Sequence, residues 1–213
     1  MNVTGLDAYV RYSEFFRIAN SSVVQGAKSM LLLEASDCPN DHLVETCKIE
    51  EVMKLEIDED STIEAAIEKY FEPLFETSTC ETCFIKNRKD KEQEMTKMKC
   101  VAVFPEVLVI EIKVFDDEGD IVQDEFLVPE QLDLTQYLKE SEQTNKAVVY
   151  QLSAAIGVTG ENLEDCTYYC ISKRQQFGQD TWFEFQKDDY GQIGHEDVFD
   201  NKMVSQLLLY TRQ

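Results

Sequence analysis

The chain has 213 residues, of which 43% are hydrophobic and 29% charged, the balance of a folded chain rather than a disordered one. With 42 acids against 20 bases, the formal net charge is −22. Such a surface repels phosphate backbones and anionic lipid headgroups, which excludes nucleic acid and membrane surfaces as direct partners and favours a basic protein.

Residues 7–20 place Tyr9, Tyr12, Phe16 and Ala19 at steps of three and four, which predicts a helix with one apolar face. Residues 29–35, SMLLLEA, predict a buried strand, and Cys38-Pro-Asn-Asp-His42 a turn. In residues 51–58, Met53, Leu55 and Ile57 alternate with charged neighbours, the pattern of a half-buried strand. Ser61-Thr-Ile-Glu64 has the form of a capping box, and Ile63, Ala66, Ile67, Tyr70 and Phe71 form the buried stripe of the helix it opens, which Pro73 ends. Residues 86–99 carry six bases and three acids, a local +3 interleaved as on a solvated hairpin. In residues 103–115, Leu108, Ile110, Ile112 and Val114 share one face while Val107 and Val109 begin the other, so a central strand is expected. Residues 116–120 read as a hairpin turn with Gly119 free to take positive φ, and 121–128 as the returning strand. From Val148 to Tyr210, short strand-like runs separated by polar turns predict an antiparallel sheet. Helix, strands, helix and then many strands make the fold class α+β, mostly antiparallel sheet.

No apolar stretch approaches the ~20 residues of a membrane-spanning helix, and no secretory signal is visible at the N-terminus. The seven cysteines are odd in number, and Cys80 and Cys83 make a C-x-x-C pair, so reduced thiols or metal ligands in the cytoplasm or nucleus are expected rather than a disulfide framework.

Several segments, taken in order, resemble the ubiquitin-specific protease family (USP, peptidase C19) of papain-like cysteine proteases. Val24-Gln-Gly26-Ala-Lys-Ser-Met30 resembles its F-x-G-x-x-x-S stretch, Ser61 to Phe71 its helix, and Cys80-Glu-Thr-Cys83 its second ligand pair. Lys97, Val101, Phe104-Pro105, Val107-Leu108 and Ile112-Lys-Val-Phe115 resemble K-x-x-x-I-x-x-L-P-x-V-L-x-x-x-L-K-R-F, and Phe126 to Tyr137 resembles v-x-F-P-x-x-L-d-L-x-x-Y. Tyr150-Gln-Leu152-Ser-Ala154, Cys166 to Cys170, Trp182 to Phe185 and Leu207 to Tyr210 follow as the family's closing motifs. The resemblance covers roughly residues 20–210 and implies one partial domain over 1–213: fingers and first palm strands at about 20–145, and the C-terminal palm sheet at about 146–213.

The family's G-N-T-C-Y box, which carries the nucleophile in the helical thumb, has no counterpart among these residues. The family's catalytic His aligns with Thr167, and its orienting Asp or Asn with Gln186. Thr cannot accept and return a proton at neutral pH, and Gln carries no charge to stabilise an imidazolium. The resemblance therefore implies a pseudo-deubiquitinase that binds ubiquitin or a ubiquitin-like protein, or serves as a scaffold toward ubiquitinated proteins. Tyr150, Leu152, Tyr168 and Trp182 are its cradle candidates. Two alternatives stand beside it: an active thiol deubiquitinase completed by a partner chain or a missing N-terminal segment, and an interaction module without ubiquitin binding. His195, after Gly194, falls out of the family's order and reads as a polar loop residue; Cys166 and Cys170 read as partly buried thiols.

In the family, two C-x-x-C pairs hold zinc at the finger tip. Here the first pair reads Ala35-x-x-Cys38, which leaves Cys38, Cys80 and Cys83, with His42 as a possible fourth ligand at a spacing that is not the family's. The expectation is no cofactor, with the tip held by apolar packing and zinc the alternative.

Overall fold

The computed structural model describes residues 29–40, 42–58, 61–87, 92–139, 147–176, 178–187 and 189–213. The helix expected over residues 7–20 lies outside them. The chain runs β1 (Met30–Asp37), β2 (Leu43–Glu50), β3 (Met53–Leu55), α1 (Ile63–Phe71), β4 (Leu74–Thr79), α2 (Glu81–Asn87), β5 (Glu92–Val103), β6 (Val107–Ile112) and β7 (Gln131–Asp133). β8 (Val149–Thr159), β9 (Thr167–Gln176), β10 (Gln179–Gln186), β11 (Asp189–Ile193), α3 (His195–Phe199) and β12 (Ser205–Arg212) complete it. A four-stranded sheet has the order β2-β1-β5-β4, and a larger sheet the order β11-β10-β9-β8-β12-β6-β3, with β7 added on β8.

β6 is central, as its two apolar faces predict. It pairs antiparallel with β12 and parallel with β3, and Leu108, Val109, Ile110 and Ile112 are all buried. On β8, Tyr150 and Leu152 face the same core as Ala155, because a register shift against β12 between Leu209 and Tyr210 changes the alternation there. The core is closed by α1, whose Ile63, Ala66, Ile67 and Phe71 are buried, and by Trp182 of β10. Phe71 stacks on Tyr137 with ring centroids 4.3 Å apart.

Three local expectations are corrected. The cap of α1 is Thr62, one residue later than expected: its hydroxyl accepts from the Ala65 amide at 3.2 Å, while the Ser61 amide turns back to the Asp58 carbonyl. The alternation of 51–58 yields a strand only over Met53–Leu55, and that strand joins the large sheet beside β6 rather than the smaller one. No strand forms over 121–128. Isolated bridges Phe115–Ile121 and Phe126–Met203 hold this segment, while Phe126 and Val128 anchor it in the core. The turn before it is as expected: Gly119 has φ 91°, and the Asp116 carboxylate accepts from the amides of Glu118 and Asp120.

Candidate functional site

The end of the four-stranded sheet brings two turns together. Cys38 follows the last residue of β1, Pro39 and Asn40 turn the chain, and His42 directly precedes β2. Cys80 lies between β4 and α2, and Cys83 lies in the first turn of α2. Cys38 Sγ is 3.8 Å from Cys83 Sγ and 3.5 Å from His42 Nδ1. His42 Nδ1 is 3.2 Å from Cys83 Sγ and 3.8 Å from Cys80 Sγ, and all four ligand atoms lie within 4.8 Å of one another. With Zn–S near ~2.3 Å and Zn–N near ~2.0 Å, a tetrahedral ion sets S···S edges of about 3.8 Å and S···N edges of about 3.5 Å. The donor set therefore fits zinc in size and chemistry. Ala35 lies inside β1, paired with Glu45 and Met98, and the imidazole reaches the thiols from the other side of the turn. Met95 is the buried apolar neighbour of Cys38 and Cys80. The nearby Gln93 amide, then hydrogen bonding with Asn40, His42 and Cys38, lowers the Cys83 thiol to about 6, whereas burial raises that of Cys38.

On the large sheet, Thr167 opens β9 opposite Thr159, and Gln186 closes β10 opposite Tyr169. Residues two apart on a strand share a face, so Thr167 and Gln186 are diagonal neighbours on one surface, and both are exposed. Between them the ring of Tyr169 lies against Gly157, where an added Cβ would stand 2.1 Å from the ring. The pair has hydroxyl and amide chemistry, with no group to carry a proton at neutral pH. His195 is the first residue of α3, with Nε2 3.2 Å from a Glu130 carboxylate and its ring beside Phe199. The Cys170 thiol donates to the Ile171 carbonyl, and burial raises its pKa, away from nucleophilic thiolate.

The four expected cradle residues differ in burial. Tyr150, Leu152 and Trp182 are buried core side chains, with the Tyr150 hydroxyl donating to the Pro105 carbonyl. Tyr168 alone of the four is half-exposed and outside that core, and burial raises its phenol pKa.

The open apolar surface lies elsewhere, on one face of the four-stranded sheet. Pairing aligns Ile49–Leu31–Val103, Cys47–Leu33–Cys100, Glu45–Ala35–Met98 and Leu43–Asp37–Thr96–Phe75 in successive rows. Leu43, Ile49, Phe75, Met98 and Val103 on this face are between 43% and 73% exposed. On the opposite face, Leu32 and Val101 enter the core, while Lys48–Glu34 and Lys97–Glu76 pair farther out. Sequence reasoning missed this surface because it missed β2, although the alternation of Leu31, Leu33 and Ala35 carries half of it.

A long, mostly antiparallel sheet, joined to a four-stranded sheet tipped by a Cys/His cluster, is the palm and fingers of a papain-like cysteine protease fold. The family profile described as Ubiquitin carboxyl-terminal hydrolase matches residues 19–210, and the chain belongs to that family. Among solved structures, the SAGA DUB module Ubp8/Sgf11/Sus1/Sgf73 bound to monoubiquitin matches with TM-score 0.74 and 19% identity, over 92% of this chain and 43% of that one. The same module bound to ubiquitin aldehyde matches with TM-score 0.74 and 17% identity, over 98% and 48%. The yeast SAGA DUBm matches with TM-score 0.73 and 20% identity, over 94% and 45%. The chain thus spans under half the length of these solved chains. Curated proteins gave no match.

Proposed function

We propose that this chain is a non-catalytic member of its family that binds ubiquitin or a ubiquitin-like protein through its fingers, with a zinc ion holding the finger tip. The observation that carries the reading is the register of β9 and β10, which makes Thr167 and Gln186 diagonal neighbours on one exposed surface; the family resemblance aligns these two residues with its His and its Asp or Asn. Neither side chain lowers a thiol pKa or shuttles a proton, so the residues present retain a surface and lose the chemistry. The exposed face around Leu31, Leu33, Ile49 and Met98 supplies the binding area, and the charge of −22 favours a basic partner through steering. Two of the matched modules hold ubiquitin or ubiquitin aldehyde, which supports the choice of partner. Cys38, His42, Cys80 and Cys83 would hold zinc as a closed structural site, and zinc there supplies cross-linking of two turns, not Lewis-acid catalysis. A reducing compartment, cytoplasm or nucleus, keeps those thiols available.

The test is incubation of the chain with a ubiquitin C-terminal fluorogenic substrate. No release of fluorophore above buffer is expected. Turnover that thiol alkylation abolishes would falsify the non-catalytic reading.

A further inference from the structure

We propose that Asn40 is a positioning residue of the finger-tip metal site, its side-chain amide fixing the Cys83 sulfur as a metal-bound thiolate. The inference rests on the zinc reading above and adds to it a residue that is not a ligand. Asn40 Nδ2 lies 3.2 Å from Cys83 Sγ and 3.5 Å from Gln93 Oε1, so its two N–H groups reach both. One side chain in the β1–β2 turn thereby ties itself to α2 and to β5.

Cys83 is the ligand that needs such a partner. Cys38 and Cys80 are buried, whereas Cys83 is half-exposed and is the sulfur that water and competing chelators reach. Three thiolates and a neutral imidazole leave one excess negative charge on a divalent ion, in a chain already at −22. An amide N–H aimed at sulfur spreads that charge and holds the ligand in place. The turn itself does not demand asparagine. Lys187, not Asn40, is the non-glycine residue with positive φ among the described residues, so a left-handed backbone is not the reason for Asn40. An aspartate there would keep the shape and offer only acceptors to the thiolate.

The experiment uses the full chain with Co2+ alone, read by its thiolate charge-transfer absorption, and with Zn2+ alone, read by chelator competition. Wild type should bind one ion. Asn40→Ala and Asn40→Asp should each weaken zinc binding 10- to 100-fold, as the loss of an outer-shell partner does, and speed metal transfer to chelator. Asn40 is exposed, so the far-ultraviolet circular dichroism of the metal-free variants should match wild type. If Asn40→Asp binds zinc as tightly as wild type, Asn40 serves only the turn, and this inference fails while the metal reading stands. If wild type takes up neither ion, both fail.

Discussion

Ile110→Ala tests the fold at its centre. Ile110 sits on β6 opposite Leu208 of β12 and Met53 of β3, with no exposed surface. The substitution removes three buried carbons, and at roughly 0.8 kcal/mol each the transfer loss is about 2.4 kcal/mol. Neighbours on both sides belong to hydrogen-bonded strands and cannot collapse freely into the void. The cavity then adds to the loss, for a total on the order of 2–5 kcal/mol. Urea unfolding followed by circular dichroism at equilibrium reads it as a fall in midpoint at unchanged slope. Exposed Ile49 gives the control: Ile49→Ala should change stability by less than about 0.5 kcal/mol. A loss below about 0.5 kcal/mol for Ile110→Ala would refute the central placement of β6.

Two further outcomes follow from local geometry. Thr62→Ala removes the oxygen that accepts from the Ala65 amide and should cost roughly 0.5–2 kcal/mol by the same unfolding assay, while Ser61→Ala should cost far less. Metal retention should fall with pH. The Cys83 thiol is lowered from 9.0 to about 6, so its contribution to the folded state is full above the ordinary thiol value and lost as pH falls through about 6. Chelator competition at pH 7.5 and at 5.5 should show weaker binding at the lower value, and pH-independent retention would contradict a site built on these thiols and imidazole.

Much of the palm was legible because its strands bury apolar side chains in patterns that the backbone enforces. β6 shows apolar residues on both faces, and β8, β9, β10 and β12 appear as runs bounded by polar turns. β2 was not legible, because LVETCKIE leaves every residue through Ile49 exposed, so no inward face marks it. The 51–58 alternation was real, but only Met53 to Leu55 bonds to β6. In the site, Cys80 and Cys83 announce themselves by spacing. His42 needed the turn at Pro39 and Asn40 to bring its ring back onto Cys38, which spacing alone does not fix. Tyr150, Leu152 and Trp182 occupy motif positions, and as large apolar side chains on central strands they are buried in the core.

The most direct test of the central claim is a titration of the isotopically labelled chain with ubiquitin, followed by NMR. The fingers offer an open surface, so a Kd on the order of 10 μM to 1 mM is expected, weakening with added salt. Shifts should cluster on Leu31, Leu33, Ile49, Met98 and their row neighbours, and Ile49→Asp should weaken binding about tenfold, roughly 1.4 kcal/mol, without unfolding the chain. No shift at millimolar ubiquitin, or shifts that avoid this face and ignore Ile49→Asp, would contradict it.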